Sequence, residues 1–403
     1  MSDGEKRTPE LRLNGFEGEW VEKPLGESFS ERVQSDENGE LLSVTVRTGV
    51  RKFSEIGRHD TSNADKSKYK LVEVGDIAYN SMRMWQGASG RSPYRGIVSP
   101  AYTVLAPEAG VESGFFARLF KTPEMIATFE KNSQGLTSDT WNLKYPALSK
   151  IEAHMPELSE QKAISATFDN VEKLIDASEA RHEALKHLRQ TMLVKMFPQG
   201  DEREPEIRFD GFEGEWDKAD LGQLASFSKG AGFAKKDLCS SGHPIVLYGR
   251  LYTAYEFELD ELDTFVDMKS HGVLSQGGEV LVPASGESEE EIARAAALLT
   301  PGVLIGGDLN VIRPVEGVDP SFLALTLSNG DPHGQIAQRA QGKTVVHVRN
   351  GDLAEVIIQF PSIEEQRIIV SYFRSLDELI DAESTKVEKL RNLKSALLEK
   401  MFV

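Results

Sequence analysis

Two stretches of the chain match each other over 42 positions without a gap, and they decide its organisation. The first is Pro156–Phe197, PELSEQKAISATFDNVEKLIDASEARHEALKHLRQTMLVKMF, and the second is Pro361–Phe402, PSIEEQRIIVSYFRSLDELIDAESTKVEKLRNLKSALLEKMF. They share 16 identities, including the Glu-Gln pair near each start and the Lys-Met-Phe at each end. A duplication of this length predicts a chain built from two equivalent halves.

Each stretch is predicted to be one long helix. Its apolar residues recur at three- and four-residue spacing, and neither copy contains a glycine or an interior proline. Ser362 and Glu365 form a capping-box pattern at the start of the second copy. About 39 residues would give a helix of about 58 Å, longer than a compact domain needs. The two apolar stripes therefore predict an antiparallel coiled coil, with two ordinary core helices as the alternative.

The segments outside these helices also begin alike, since Gly15–Trp20 and Gly211–Trp216 both read Gly-Phe-Glu-Gly-Glu-Trp. The residues after each hexapeptide are rich in glycine, proline and short β-type runs such as Glu279–Pro283, with apolar helical pieces such as Pro320–Ser328. The predicted fold class is therefore α+β, with two globular domains, a pair of long helices and a pseudo-twofold internal repeat. The predicted boundaries are a first domain at 15–155, a first helix at 156–197, a linker at 198–210, a second domain at 211–360 and a second helix at 361–403.

Composition excludes several classes of protein. Of 403 residues, 39% are hydrophobic and 27% charged, which is typical of a folded globular chain and not of a disordered one. Cys239 is the only cysteine, so the chain has no intrachain disulfide, and its polar first residues do not resemble a signal peptide. A cytoplasmic location is expected.

The sequence contains no pattern of catalytic residues. A DNA amine methyltransferase needs a Pro-Pro-aromatic loop, and the chain has no Pro-Pro pair. Gly342-Lys-Thr344 lacks the earlier glycine of a phosphate-binding loop, and a β-type run comes after it. The eight histidines are scattered without metal-ligand spacing. We therefore expect no catalytic residue, no metal site and no cofactor bound by this chain.

The net charge of −18 is unevenly distributed. Residues 15–155 hold 17 basic and 19 acidic side chains, whereas residues 211–360 hold 11 and 22. Three windows lack acidic residues altogether, at 77–107, 221–236 and 332–351.

Arginine can read guanine and amide side chains can read adenine, while lysine holds phosphates. Ordinary loops are the alternative. The DNA-binding candidates are Arg47, Arg51, Lys52, Arg58, Asn80, Arg83, Trp85, Gln86, Arg91, Tyr94, Arg95, Tyr102, Lys229, Lys235, Lys236, Arg250, Tyr252, Gln338, Arg339, Lys343 and His347.

On these motifs the chain resembles the DNA specificity subunits of type I restriction-modification systems. The resemblance rests on the duplicated Gly-Phe-x-Gly-x-Trp, on the Pro-x-x-x-Glu-Gln that opens each helix and on the Leu-Ile-Asp of each copy. In the first domain it includes Gly75–Asn80, Met82–Gly87 and Gly96–Tyr102, and in the second Gly278–Gly286. It implies a non-catalytic reader whose two domains each bind half of a split, asymmetric DNA site.

The resemblance also implies partners. Two methyltransferase subunits would dock on the paired helices and use S-adenosylmethionine, and restriction subunits would use ATP and Mg²⁺. The helices would set the spacer between the half-sites. A solitary DNA methyltransferase and a coiled-coil adaptor without DNA binding are the alternatives. Residues expected in the coiled coil or at partner interfaces are Gln161, Phe168, Ile175, Leu185, Gln366, Phe373, Ile380 and Leu390.

Overall fold

The computed structural model describes residues 7–57, 59, 62–137, 140–260, 262–267, 272–342 and 345–403. The chain forms two compact units. Unit 1 comprises Met1–Glu179 and Ser384–Val403, and unit 2 comprises Ala180–Glu383. Each long helix therefore contributes one half to each unit.

Unit 1 contains a mixed domain of short strands and helices. Its strands are β1 (Val21–Pro24), β2 (Phe29–Glu31), β3 (Leu42–Thr45), β4 (Gly49–Lys52), β5 (Lys70–Val72), β6 (Ile77–Asn80), β7 (Ser89–Arg91), β8 (Gly96–Val98), β9 (Tyr102–Pro107) and β10 (Glu152–Met155). Its helices are α1 (Leu25–Ser28), α2 (Ser113–Leu119), α3 (Pro123–Asn132) and α4 (Tyr145–Leu148), followed by the long α5 (Leu158–Lys195).

The central sheet of unit 1 is antiparallel with strand order β2-β9-β6-β7. Strands β3 and β4 form a hairpin, β5 pairs with β8, and β1 pairs with β10 at the end of the domain that leads into α5. The main core lies between this sheet, α2, α3 and α5, and it is rich in phenylalanine. Burial of these rings supplies the principal stabilising force of the unit.

Unit 2 is built from different sheets. Its strands are β11 (Asp217–Asp220), β12 (Ala225–Lys229), β13 (Leu238–Cys239), β14 (His243–Val246), β15 (Glu258–Leu259), β16 (Phe265–Val266), β17 (Val273–Leu274), β18 (Glu279–Pro283), β19 (Ser285–Gly286), β20 (Ala296–Leu298), β21 (Leu304–Ile305), β22 (Leu309–Pro314), β23 (Val346–His347) and β24 (Ile357–Phe360). Its helices are α6 (Leu221–Leu224), α7 (Arg250–Thr253), α8 (Glu289–Ile292), α9 (Pro320–Leu327), α10 (Gly330–Arg339), α11 (Asn350–Ala354) and the long α12 (Ile363–Lys400).

Two five-stranded sheets dominate unit 2, with orders β12-β22-β18-β20-β15 and β13-β16-β14-β21-β17. The pairing of β11 with β24 repeats the pairing of β1 with β10, and in both cases the second strand leads directly into a long helix. The helix-proximal ends of the two domains are therefore equivalent, whereas the sheets beyond them differ.

The two long helices run antiparallel within each unit. In unit 1, Glu172 of α5 pairs with Lys394 of α12 at 2.8 Å, and Glu179 pairs with Arg391 at 2.7 Å. Residue numbers rise along one helix as they fall along the other. This direction and the α+β class confirm the fold predicted from the duplicated stretches.

The same arrangement recurs in unit 2. Arg189 of α5 forms a two-pronged ion pair with Asp377 of α12, and His182 Nδ1 lies 3.2 Å from the carbonyl oxygen of Ile380. Each helix has 38 residues, so at 1.5 Å per residue it spans about 57 Å. The helices begin two residues after Pro156 and Pro361. Proline fixes φ near −65° and is tolerated in the extended segment before a helix.

Candidate nucleic-acid interface

Each domain is fixed to its long helix by the same arginine–glutamate clamp. Arg12 Nε and Nη2 donate to Glu160 of α5 at 2.8 and 2.7 Å, and Glu160 is 3% exposed. Arg208 repeats this geometry with Glu365 of α12, at 2.8 Å for both bonds. Bidentate guanidinium–carboxylate pairs are directional, so each clamp fixes the start of its helix relative to the domain.

A buried glutamine completes each junction. Gln161 accepts a hydrogen bond from the Glu112 backbone N–H and donates to the Pro156 carbonyl. Gln366 does the same with Asp319 and Pro361, and it also donates to Gly317. Both side chains were expected in the coiled coil or at a partner surface. They instead bind their own domain, because each lies in the first helical turn beside the loop that it caps.

The other predicted helix residues lie in the apolar seams. Phe168 packs 5.9 Å from the Phe402 ring in unit 1, and Phe373 packs 6.2 Å from the Phe197 ring in unit 2. Phe402 and Phe197 also contact the tryptophans of the duplicated hexapeptide, Trp20 and Trp216. Ile175 and Leu390 belong to the unit 1 core, Leu185 belongs to a unit 2 core, and Ile380 is half-buried beside His182.

Three exposed basic candidates of unit 1 lie on the β3–β4 hairpin and on the loop after β6. Arg47, Arg51 and Arg83 are exposed, and none of them forms an ion pair with another residue in the described part of the chain. The loop also carries Gln86, which accepts a hydrogen bond from Arg83 at 3.1 Å. These four side chains are therefore available to a nucleic acid.

Two further loop candidates shape the loop itself. Asn80 Oδ1 accepts the backbone N–H of Met82 at 3.0 Å, and Trp85 Nε1 donates to the Met82 carbonyl at 3.1 Å. The Trp85 ring also packs edge-on against Trp141 at 5.4 Å. Asn80 Oδ1 and Trp85 Nε1 are therefore engaged within the protein, and both bonds stabilise the conformation of the loop.

Other unit 1 candidates face acidic residues. Lys52 pairs with Glu40 at 3.0 Å and lies over the Tyr94 ring, and Arg95 contacts Glu73 at 3.1 Å and Asp36 at 3.7 Å. Arg91 points towards the helix side, where Glu112 and Asp169 lie at 3.7 and 3.9 Å. Tyr102 is half-buried against the core under the hairpin. Arg58 lies outside the described residues. Whether these side chains contact DNA stays a prediction.

One residue that sequence reasoning missed holds the hairpin to the loop. Lys121 Nζ donates to the carbonyl of Val46 in the hairpin turn at 3.0 Å and to that of Gly87 at the end of the loop. Burial, with a smaller contribution from the charge of Lys394, lowers the pKa of Lys121 from 10.5 to about 8. No sequence signal marked it, since its partners are backbone carbonyls far away in the chain.

Unit 2 brings some of its candidates together in a groove of about 560 Å³. Lys235 and Arg250 line it with Tyr248, Phe233 and glycine backbone. Arg250 also pairs with Glu256 at 3.0 Å and Asp263 at 3.7 Å. Lys229 and Lys236 are exposed nearby in sequence, at the end of β12 and in the turn that precedes β13.

The remaining unit 2 candidates are dispersed. Tyr252 donates to the Ser285 carbonyl at 2.9 Å, and Arg339 donates to the carbonyls of Gln335 and Glu355. Gln338 is exposed on α10, and His347 is exposed on β23. Lys343 lies outside the described residues. Among the described candidates of unit 2, Lys235 and Arg250 are the two that line one groove.

Known proteins share both the sequence pattern and this architecture. Residues 213–392 match the type I restriction modification DNA specificity domain. The type I restriction enzyme MjaVIII specificity subunit of Methanocaldococcus jannaschii is 20% identical over 351 residues, which cover 82% of this chain and 81% of that protein. Among solved structures, the S subunit of a type I restriction-modification system from M. genitalium has a TM-score of 0.57 at 14% identity, covering 98% and 99% of the two chains.

A second structure, which describes complex assembly and conformational transition of a type I restriction-modification system, has a TM-score of 0.51 at 17% identity. It covers 95% of this chain and 97% of the other, and at this identity both structures show the shared fold. Each of the two units therefore contains a mixed domain that an arginine–glutamate clamp joins to the start of a long helix. In these comparisons the chain is similar to the DNA specificity subunits of type I restriction-modification systems, as the sequence resemblance implied.

The described residues contain no group of three or more His, Cys, Asp or Glu side chains placed to hold a metal ion. Among the same residues, no helix is both long enough and apolar enough to cross a membrane.

Proposed function

We propose that each unit reads one half of a split, asymmetric DNA sequence. The observation that carries this proposal is the contrast between the duplicated junctions and the unlike sheets. The Arg12–Glu160 and Arg208–Glu365 clamps are equivalent, so both domains are mounted in the same way. The four-stranded sheet of unit 1 and the two five-stranded sheets of unit 2 then present different surfaces, and different surfaces read different bases.

The paired helices act as the spacer between the two half-sites in this proposal. The helix α5 is continuous over 38 residues. It begins at the end of the first domain, in unit 1, and its second half belongs to unit 2. Domains at fixed places on a rigid helix pair are held a fixed distance apart along DNA, where successive base pairs are about 3.4 Å apart. Helix length would therefore fix the number of unread base pairs.

Modification subunits would dock on exposed leucines of the helix pair. In unit 1, Leu174 is 51% and Leu393 is 46% exposed; they follow Glu172 by two residues in α5 and precede Lys394 by one residue in α12. In unit 2, Leu379 is 46% and Leu188 is 37% exposed; they follow Asp377 by two residues in α12 and precede Arg189 by one residue in α5. The two pairs occupy equivalent positions of the duplicated stretch. Two equivalent pairs of exposed leucines, called the leucine patches below, suit two copies of one partner.

The methyltransferase and restriction reactions would then be catalysed by the partner subunits. Two methyltransferase subunits would use S-adenosylmethionine, and restriction subunits would use ATP and Mg²⁺, with the whole complex in the cytoplasm. The net charge of −18 opposes nonspecific attraction to DNA phosphates. Tight binding at physiological salt is therefore expected only when the chain is assembled with its methyltransferase subunits.

Methylome sequencing tests this function. A host that carries this chain and its methyltransferase subunit should show one bipartite methylated motif with a fixed spacer. Deletion of the chain alone should abolish methylation at that motif. A continuous motif, or methylation that persists without the chain, would contradict the proposal.

A further inference from the structure

The loop after β6 is held in one conformation by bonds that converge on Met82. Asn80 accepts the Met82 N–H and Trp85 donates to the Met82 carbonyl. Below them, Met84 is fully buried, and Gly87 closes the turn with a φ of +78° that favours glycine. The Arg83 and Gln86 side chains on the outside of this turn therefore stand on a rigid base.

The Arg83–Gln86 contact has a defined polarity. A guanidinium has only N–H donors, so the Gln86 amide oxygen must be the acceptor of the 3.1 Å bond from Arg83 Nη1. The groups left over are the other guanidinium N–H donors and the two donors of the Gln86 amide nitrogen. The outward edge of the pair is thus rich in donors.

A donor-rich edge discriminates between base pairs. Guanine presents two acceptors, N7 and O6, in the major groove, whereas adenine presents one acceptor beside the N6 amino donor. A second donor of Arg83 would bond to O6 of guanine but would face the amino group of adenine. The pair therefore matches guanine.

The β3–β4 hairpin is fixed next to this loop by two independent contacts. Lys121 bonds to the Val46 and Gly87 carbonyls and so links the hairpin turn to the end of the loop. The hairpin also packs backbone to backbone on β7, because a Cβ added to Gly90 would lie 2.8 Å from the Gly49 Cα. Arg47, in the hairpin turn, and Arg51, on β4, are exposed without an ion pair in the described chain.

We propose that Arg83, oriented by Gln86, reads a guanine in the half-site of unit 1, and that Arg47 and Arg51 bind DNA backbone phosphates beside it. This inference rests on the proposed function, since it names the bases and phosphates that one unit contacts. A double-stranded DNA is the occupant because the surface combines exposed arginines with a window, 77–107, that holds no acidic residue.

The test uses the full chain assembled with its methyltransferase subunit. Binding to the wild-type site is compared with binding to duplexes that carry every base at each half-site position. Arg83→Ala should reduce discrimination at one G·C position about 5- to 150-fold, the value of one bidentate arginine–guanine contact. Gln86→Ala, which keeps the arginine, should give a smaller loss at the same position.

Arg47→Ala supplies the contrasting result. It should weaken binding to all duplexes alike and reduce the slope of log K against log salt by about 0.9 for one phosphate contact. Lys150→Ala removes the same charge from an exposed position between α4 and β10 and should leave discrimination unchanged.

Two results would overturn the inference. One is a unit 1 half-site without a G·C pair, and the other is a uniform loss of affinity in Arg83→Ala with discrimination intact at every position. If the wild-type complex itself shows no sequence preference, the proposed function fails. If it reads a bipartite site that Arg83→Ala and Gln86→Ala leave equally selective, only this inference fails.

Discussion

Arg12 and Glu160 are 148 residues apart in the chain, yet they form a bidentate ion pair that joins the start of the first domain to the start of α5. Arg208 and Glu365 form the same pair in unit 2. Glu160 and Glu365 are almost fully buried, so each carboxylate depends on its arginine for charge compensation.

Loss of the arginine should therefore destabilise unit 1 strongly. We expect Arg12→Ala to lower the free energy of unfolding by about 3–5 kcal/mol, because it leaves Glu160 buried and unpaired. Urea unfolding of the full chain measures this change. Arg7→Ala is the matched control, since Arg7 pairs with Glu19 at the surface and its loss should cost about 1 kcal/mol or less. Equal effects of Arg12→Ala and Arg7→Ala would show that the clamp contributes little.

The duplicated residues predicted this junction only in part. Ser362 and Glu365 form a capping-box pattern, and the Ser362 hydroxyl does accept the Glu365 N–H at 3.4 Å. The Glu365 carboxylate, however, binds Arg208 and does not turn back to the helix start. A charged donor is a stronger partner than a backbone N–H, and its approach is a tertiary effect that local spacing does not encode. The positions of Arg12 and Arg208 relative to the duplicated hexapeptide did carry a signal, since both lie eight residues before its tryptophan.

The strand order and the ion pairs of the basic residues likewise could not be predicted from local sequence spacing. The run Glu279–Pro283 was predicted as β-type and is β18, but its place between β22 and β20 depends on pairings far away in the chain. Likewise, acid-free windows located exposed arginines such as Arg83 but also included Arg91. Acidic residues from outside the window, Glu112 and Asp169, approach Arg91 only in the folded chain.

Lys121 should make the stability of unit 1 depend on pH. Its pKa is about 8 in the folded chain against 10.5 ordinarily, so between these values the unfolded state binds a proton that the native state has released. The free energy of unfolding should therefore rise with pH in this window, by up to about 3 kcal/mol relative to Lys121→Met. Urea unfolding of both proteins from pH 7 to 11 measures the difference.

The neutral amine still donates to Val46 and Gly87, so the contacts themselves survive deprotonation. Lys150→Met, at an exposed position, should show a constant difference from wild type over the same range. A constant difference for Lys121→Met as well would mean that burial does not shift the pKa of this group.

The leucine patches should each hold one methyltransferase subunit. Leu174→Glu combined with Leu393→Glu should reduce the stoichiometry from two partner copies to one, because a charge is costly to desolvate in an apolar interface. Leu188→Glu with Leu379→Glu should have the same effect through unit 2. Native mass spectrometry of the assembled complex counts the copies. Leu136→Glu makes the same change at a fully exposed leucine in the domain and should retain both. Two copies in both double variants would exclude these patches as docking sites.

Lengthening the helix pair should change the spacer and leave both half-sites intact. Seven residues inserted after Glu179 and seven after Glu383 fall at the boundary between the units in both helices. Seven residues add about two turns and about 10.5 Å, so the apolar seams stay nearly in phase. At about 3.4 Å per base pair, the methylated motif should gain about three unread base pairs. Methylome sequencing reads the motif directly.

The same heptapeptide inserted after Gly110, in an open turn of unit 1, should leave the spacer unchanged. If the helix insertions altered the bases of a half-site while the spacer stayed constant, the helices would not be the element that measures distance along DNA.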